Sequence, residues 1–252
     1  IIIQRDFPRF PGSMQMVQNA QSLGKPVIYE TDDWLFDVPE WNIQHAAYKN
    51  YLSGMLWTIT QADRVVTCNP LLAQKLSIFN SEIRIFDNYL VDDLWPLRPP
   101  VESQDGPVKI GFMGSQTHQE DLRALAPILL TILEKYAGRV SLTFWGCKPP
   151  DELADHPSVI WNDIHYQSYV EFADYFSKQI CDIFIAPLSQ NEFNRAKSPL
   201  KYLEYSSLGV SGVYSKIDPY EGVIQDGKNG LLAAAPQDWF EKIEALVLSP
   251  TL

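Results

Sequence analysis

Apolar residues recur along this chain in two alternating rhythms. Short β-branched runs ("IIIQ", "PVIYE", "DRVVTCN", "EIRIF") predict strands, and longer stretches with apolar positions three and four apart predict helices between them: "GSMQMVQNAQSLG", "NIQHAAYKNYLSGMLWTITQ" and "PLLAQKLSIF". A Pro- and acid-rich segment, "DNYLVDDLWPLRPPVESQDGP", interrupts the rhythm, and residues 91–107 are expected to be a linker. The alternation then resumes. "VKIGFMG", "RVSLTFWG", "SVIW", "CDIFIAPL", "VSGVYS" and "LLAA" predict strands. "HQEDLRALAPILLTILEKYAG", "YQSYVEFADYFSKQI", "SPLKYLEYSSLG" and "PQDWFEKIEALVL" predict helices, the first of them closed by Gly138. Strands alternating with helices imply parallel sheets with helices on both faces. The expected class is α/β with two Rossmann-like domains, residues 1–90 and 108–252, and a cleft between them. With about four strands, the first is expected to be a truncated acceptor-side domain.

Composition narrows the function. In 252 residues the net charge is −11, which disfavours nucleic acid as a partner and docking on anionic membranes through a general basic surface. Peripheral membrane contact through a local patch stays open; no apolar run reaches the ~18–20 residues of a membrane span. Three widely spaced cysteines without a CxxC pair read as free thiols in a reducing compartment, hence a cytoplasmic location. The opening "IIIQRDFPRF" lacks a basic n-region and starts in a strand-like run, as the interior of a longer protein would.

Four stretches could carry chemistry. In "VKIGFMGSQTHQEDL" a strand ends at Gly114-Ser115, and Thr117 and Glu120 have capping-box spacing before a helix, an arrangement suited to an anion. It is not GxGxxG, so a nicotinamide cofactor is unsupported. His118 lies in that loop region, either as a sugar or phosphate contact or as a solvated loop histidine. In "NRAKSPLKYLEYSSLG", Ser198 is the expected N-cap and Pro199 the first helical residue. Lys197 and Lys201 would then oppose the helix dipole at ~0.3–1 kcal/mol each, a conflict that an anionic ligand removes. Glu204, one turn on from Lys201, could accept hydrogen bonds from two ribose hydroxyls, or simply pair with that lysine. "ETDDW" places Asp32 and Asp33 after a strand, as ligands of a divalent metal or as a cap cluster, without D-x-D spacing. The histidines show no metal spacing, and no metal or bound cofactor is expected. In "VIWNDIHY", Trp161, Ile164 and Tyr166 could hold a base by stacking or could be plain core aromatics.

Together these segments resemble a retaining glycosyltransferase of the GT-B fold, of the group 1 (family 4) type. "ADRVVTCNPLLAQKL", "IRIFDNYLVDDLW" (with Asn88 in the Asn place), "VKIGFMGS", "DIFIAPL" with "KYLEYSSLGVSGVYS", and "VIQDGKNGLLA" carry the likeness. The resemblance implies metal-independent transfer of a sugar from a nucleoside-diphosphate sugar to an acceptor hydroxyl with retention, a hexosyltransferase-like activity (EC 2.4) in carbohydrate biosynthesis. The acceptor is a glycan, lipid or protein. Glu204 would bind the donor ribose. Lys201 and the backbone of Ser198, Pro199 and Leu200 would face the diphosphate, Gly114 and Ser115 would line the same groove, Lys197 and Asn194 would contact phosphate or donor sugar, and Lys201 and Lys197 would be the catalytic residues, neutralising the departing diphosphate. The family's two glutamates, seven residues apart between them, would put one at position 196, where Ala196 stands, with Glu192 the nearest acid. Ser211 replaces the usual proline after Gly209. The alternative is a non-catalytic module of this fold that binds a nucleotide, glycan or partner transferase.

Overall fold

The computed structural model describes residues 1–100, 106–166 and 168–249. By internal contacts the chain forms two units, Ile1–Asn88 with Gln190–Ser198, and Tyr89–Ser189 with Pro199–Leu252. The sequence-based division places 190–198 with the C-terminal domain; by contact this segment groups with the first unit.

In the first unit four strands pair in parallel in sequential order: β1 (Ile2–Gln4), β2 (Ile28–Thr31), β3 (Arg64–Thr67) and β4 (Ile83–Ile85). Right-handed crossovers that always step in one direction put every connection on the same side of a sheet. Accordingly Val17, Ala20, Ile59, Ala62, Leu72 and Leu76 of the connecting segments share one core with Ile3, Tyr29 and Val65. The other face alternates with it: Ile2 is 72% exposed and Gln4 bonds Glu30 across the ladder. The helix expected over residues 42–61 is two helices, His45–Lys49 and Leu52–Gln61. Asn69 caps the helix Pro70–Leu76 by accepting from the Leu72 amide, 2.8 Å, with Pro at the first turn as its fixed φ allows.

The second unit is a six-stranded parallel sheet built from β5 (Val108–Gly114), β6 (Val140–Gly146), β7 (Val159–Asn162), β8 (Ile183–Ala186), β9 (Ser211–Ser215) and β10 (Leu231–Ala233). Its order, β10-β9-β8-β5-β6-β7, reverses direction at β5 and β8. That reversal is the switch point at which doubly wound sheets open a ligand crevice beyond the strand carboxyl ends. Helices cover both faces: Leu122, Leu129, Leu133, Ile243 and Leu246 pack in one core, and Phe176, Tyr205 and Leu208 in the other. The strands read as continuous apolar runs for this reason; β8 is buried at every position.

The segment 91–107 behaves as part of this unit where it is described. Leu90, Leu94 and Trp95 join the second core, Trp95 Nε1 donates to the Tyr169 hydroxyl at 2.9 Å, and the Arg98 amide donates to the Ser207 carbonyl at 2.8 Å. Apolar residues between prolines have surface to bury, and here it is the helix-side core that takes them. Residues 101–105 of the expected linker, Gln167 in the expected helix after β7, and residues 250–252 lie outside the described residues. Among the described residues, no helix is long and apolar enough to cross a membrane.

Candidate active site

At the switch point β5 ends in Gly114 and β6 in Gly146. A Cβ on Gly114 would stand 2.9 Å from the Phe112 ring and 3.0 Å from the His118 ring. Gly146 adopts φ +80°, and a Cβ there would fall 2.6 Å from the Gly114 carbonyl oxygen, so both positions require glycine. The neighbouring Cys147 amide donates to that same carbonyl, 2.6 Å. The two strand ends therefore close tightly beneath a cavity of about 400 Å³ lined by Met113, Gly114, Ser115, Ile164, Tyr166 and Tyr169, among others. Of the three aromatic-loop candidates for a base, Ile164 and Tyr166 line this cavity. Trp161 does not; its Nε1 donates to the Gly146 carbonyl, 3.2 Å.

The predicted capping box at Thr117 is not formed. A 3-10 turn, Gln116–His118, precedes the helix Gln119–Lys135, and the Thr117 hydroxyl pairs with Ser115 Oγ at 2.7 Å. A side-chain partner two residues away competes with the helix amides for that hydroxyl. His118 is not a solvated loop histidine: it is 8% exposed, and Nδ1 meets Asp121 Oδ2 at 2.9 Å. Asp121 Oδ1 accepts from Ser189 N and Oγ, both at 2.7 Å. Burial pushes the Asp121 carboxyl up, but His118 and these Ser189 bonds outweigh it and hold the group below its usual range.

After β8 comes a short helix, Glu192–Arg195, and the helix that follows it also starts later than the sequence suggests. It spans Leu200–Ser207, with Pro199 at the cap position and no side-chain cap. Ser198 does not cap it, because its Oγ accepts from Asn88 Nδ2 in the first unit, 2.8 Å. Lys201, in the first turn, lies with Nζ 3.4 Å from His118 Nε2 and 5.7 Å from the centre of the Phe112 ring. Glu204 follows, 5% exposed. Burial pushes its carboxyl up to about 7, with the Lys201 charge acting in the opposite direction. Burial first, and then the Glu204 charge, raise the phenol of Tyr169, which lines the cavity; Glu204 and Lys201 are not among the residues that line it.

Asn194, Lys197 and Ser198 belong to the first unit. Asn194 is fully buried, and Lys197 Nζ sits 4.8 Å over the Phe193 ring. Asn69 Nδ2 donates to the carbonyls of Ala196 (2.8 Å) and Lys197 (3.2 Å). Ala196 is wholly buried in the apolar core with Cys68 and Leu72, so a longer acidic side chain has no room at that position. Glu192 is engaged by Lys75 at 2.5 Å and Arg195 at 2.9 Å. The acidic pair after β2 is engaged as well: Arg5 Nη2 lies 2.6 Å from Asp33 and Nη1 3.3 Å from Asp32. Arg5 Nε and Thr67 Oγ1, at the same carboxyl ends, are buried without a hydrogen-bond partner. Among the described residues no group of three or more His, Cys, Asp or Glu could hold a metal. All three cysteines are free and buried, and burial pushes the Cys147 thiol up to about 11.

Sequence reading missed Asp121, Ser189, Tyr169 and Met113. Asp121 carried a signal, since it stands one helical turn after His118.

A doubly wound sheet with a crevice at its switch point is the arrangement in which this class of fold binds nucleotides. Residues 107–249 match the family of group 1 glycosyl transferases, and the chain belongs to that family. No curated protein matches it in sequence. Among solved structures it is similar to TarM, a Staphylococcus aureus protein, with a TM-score of 0.66 at 16% identity over 99% of this chain and 48% of that one. Anabaena HepE, in complex with UDP-glucose, gives 0.64 at 12% identity over 98% of this chain and 68% of that one. The lipopolysaccharide outer core galactosyltransferase WaaB gives 0.57 at 17% over 100% and 67%. These likenesses establish a GT-B fold, and the chain spans between 48% and 68% of the length of those structures.

Proposed function

We propose that this chain carries the donor half of a glycosyltransferase that moves a sugar from a nucleoside-diphosphate sugar to an acceptor hydroxyl, with retention and without a metal. The observation that carries this reading is Glu204, a carboxyl group buried in the helix that follows the switch-point strand, with the Lys201 charge acting on it. Two ribose hydroxyls donating to Glu204 would repay its desolvation. The base would lie against Ile164 and Tyr166, and the diphosphate would meet Lys201 and the backbone beyond Gly114. In the reaction the bond from the anomeric carbon to the diphosphate oxygen breaks and one to the acceptor oxygen forms on the same face. The acceptor proton passes to the departing diphosphate, whose charge Lys201 neutralises. HepE bound to UDP-glucose supports a uridine donor as the first to try.

Donor hydrolysis and transfer with UDP-sugars test the reading: Lys201→Ala and Glu204→Ala should each lower kcat/KM by about a hundredfold, and unchanged activity in both would overturn the site. The buried Ala196, where the family pattern has an acid, favours a second reading as a nucleotide-binding module without turnover. Calorimetry with UDP and GDP beside an activity assay separates the two, since tight binding without transfer selects the second.

A further inference from the structure

The side chains behind Lys201 form a directional chain that crosses the switch point of the second unit. It starts at Ser189, just beyond β8, whose amide and hydroxyl both donate to Asp121 Oδ1 at 2.7 Å. It continues through Asp121 Oδ2 to His118 Nδ1 at 2.9 Å, and from His118 Nε2 to Lys201 Nζ at 3.4 Å. The polarity of this chain is fixed by chemistry. An ionised Asp121 only accepts, so the proton between it and His118 sits on Nδ1. An ammonium only donates, so Nε2 must offer its lone pair to Lys201. A doubly protonated imidazole would face the lysine charge at that distance with little water between, which like charges disfavour. The ring stands edge-on to Phe112 (centroids 5.9 Å apart, 73° between planes), and a Cβ on Gly114 would lie 3.0 Å from it. The other titratable groups that sense this cluster are Glu204, facing Lys201, Cys147, which feels Lys201 and Asp121, and Tyr220, which feels Asp121 and Glu204.

We infer that Asp121 and His118 are a positioning pair for Lys201: Asp121 fixes His118 as the Nδ1–H tautomer, and the bare Nε2 holds the lysine ammonium where a diphosphate would meet it. On this inference both act through Lys201. The inference rests on the proposed donor site for its functional consequence, while the tautomer can be read without any ligand. It also accounts for a histidine and an aspartate that a nucleotide-sugar grip does not itself need. A carboxylate behind an imidazole selects its tautomer in the same way wherever the far nitrogen must serve as an acceptor.

The decisive substitution is Asp121→Asn. An amide keeps an oxygen for Ser189 but can turn its NH2 to His118 Nδ1, which moves the ring proton to Nε2 and points a donor at Lys201. On the full chain at pH 8, imidazole nitrogen NMR should find wild-type His118 neutral with the proton on Nδ1, and D121N with the proton on Nε2. By calorimetry, D121N and His118→Leu should each bind UDP about tenfold more weakly than wild type. His118→Gln, whose amide oxygen reaches the place of Nε2, should stay within about threefold. A wild-type proton on Nε2, or H118L binding UDP as tightly as wild type while Lys201→Ala loses it, would overturn the inference. If wild type binds neither UDP nor GDP, the donor-site reading falls and the tautomer measurement alone decides the pair. Should D121N fail to give a native thermal transition, the contrast between H118Q and H118L carries the test.

Discussion

Glu204 is the residue whose state decides most about the proposed donor site. In the folded protein its carboxyl titrates near 7 against an ordinary value of 4.5, because burial outweighs the pull of Lys201. The folded state therefore keeps this proton longer than the unfolded chain does, so stability declines as pH rises from about 4.5 to about 7, and the loss is complete above 7. Glu204→Gln should raise the melting temperature at pH 8 and leave it nearly unchanged at pH 4.5. The difference corresponds to about 1–3 kcal/mol, readable by thermal unfolding at the two pH values. A ribose that donates to the ionised carboxylate lowers this pKa again, so binding of UDP at pH 7 should release about half a proton. Calorimetry in two buffers of different ionisation enthalpy measures that release, and E204Q should abolish it. The sequence made Glu204 and Lys201 legible because both stand at the start of a helix after an apolar strand. It could not make His118 legible in the same way. A lone histidine in a glycine loop has the same local pattern whether it faces solvent or a carboxylate, and only the path of the next helix turn puts Asp121 behind it.

At the scale of elements, the strands and most helices follow the rhythm of apolar positions, since burial on one face or two is what the rhythm encodes. What escapes it is set by single competing hydrogen bonds. Thr117 is drawn to Ser115 and away from the helix, and Ser198 is taken by Asn88, so two expected caps are absent. Asn69 shows the reverse. Its one side chain caps Pro70–Leu76 with its oxygen and, with its amide, holds the carbonyls of Ala196 and Lys197. Asn69→Ala should cost about 1–3 kcal/mol, a cap plus the bonds to two part-buried carbonyls. Asn69→Asp should recover the cap alone, and urea unfolding of the two variants separates the contributions. Ala196→Glu, which would restore the spacing of the family's acidic pair, should destabilise by about 3–5 kcal/mol by forcing an unpaired carboxylate into the apolar core. A variant as stable as wild type in urea would show that this core yields more readily than its burial implies.

For the molecule as a whole, the sequence supplies two α/β units but not the way the chain is shared between them. Composition marked 91–107 as a link, because prolines and acids are frequent there, yet Trp95 is 2% exposed in the second core. The backbone passes between units at 88–89, 189–190 and 198–199. Nothing in the residues 190–198 announces this, since a short segment with one phenylalanine looks like any loop after a strand. Expressed alone, residues 89–249 would carry that segment with Phe193 and Ala196 stripped of their partners. Such a fragment should be less soluble than one in which 190–198 is replaced by glycine and serine, as size-exclusion chromatography of both would reveal. A recombination event at the proline-rich stretch thus inherits a mismatch. Grafting a foreign N-terminal half onto this chain would bring in a new core while leaving nine old residues, Gln190–Ser198, to fit it. An exchange of the N-terminal unit would then need a matched patch far downstream as well as the obvious single cut.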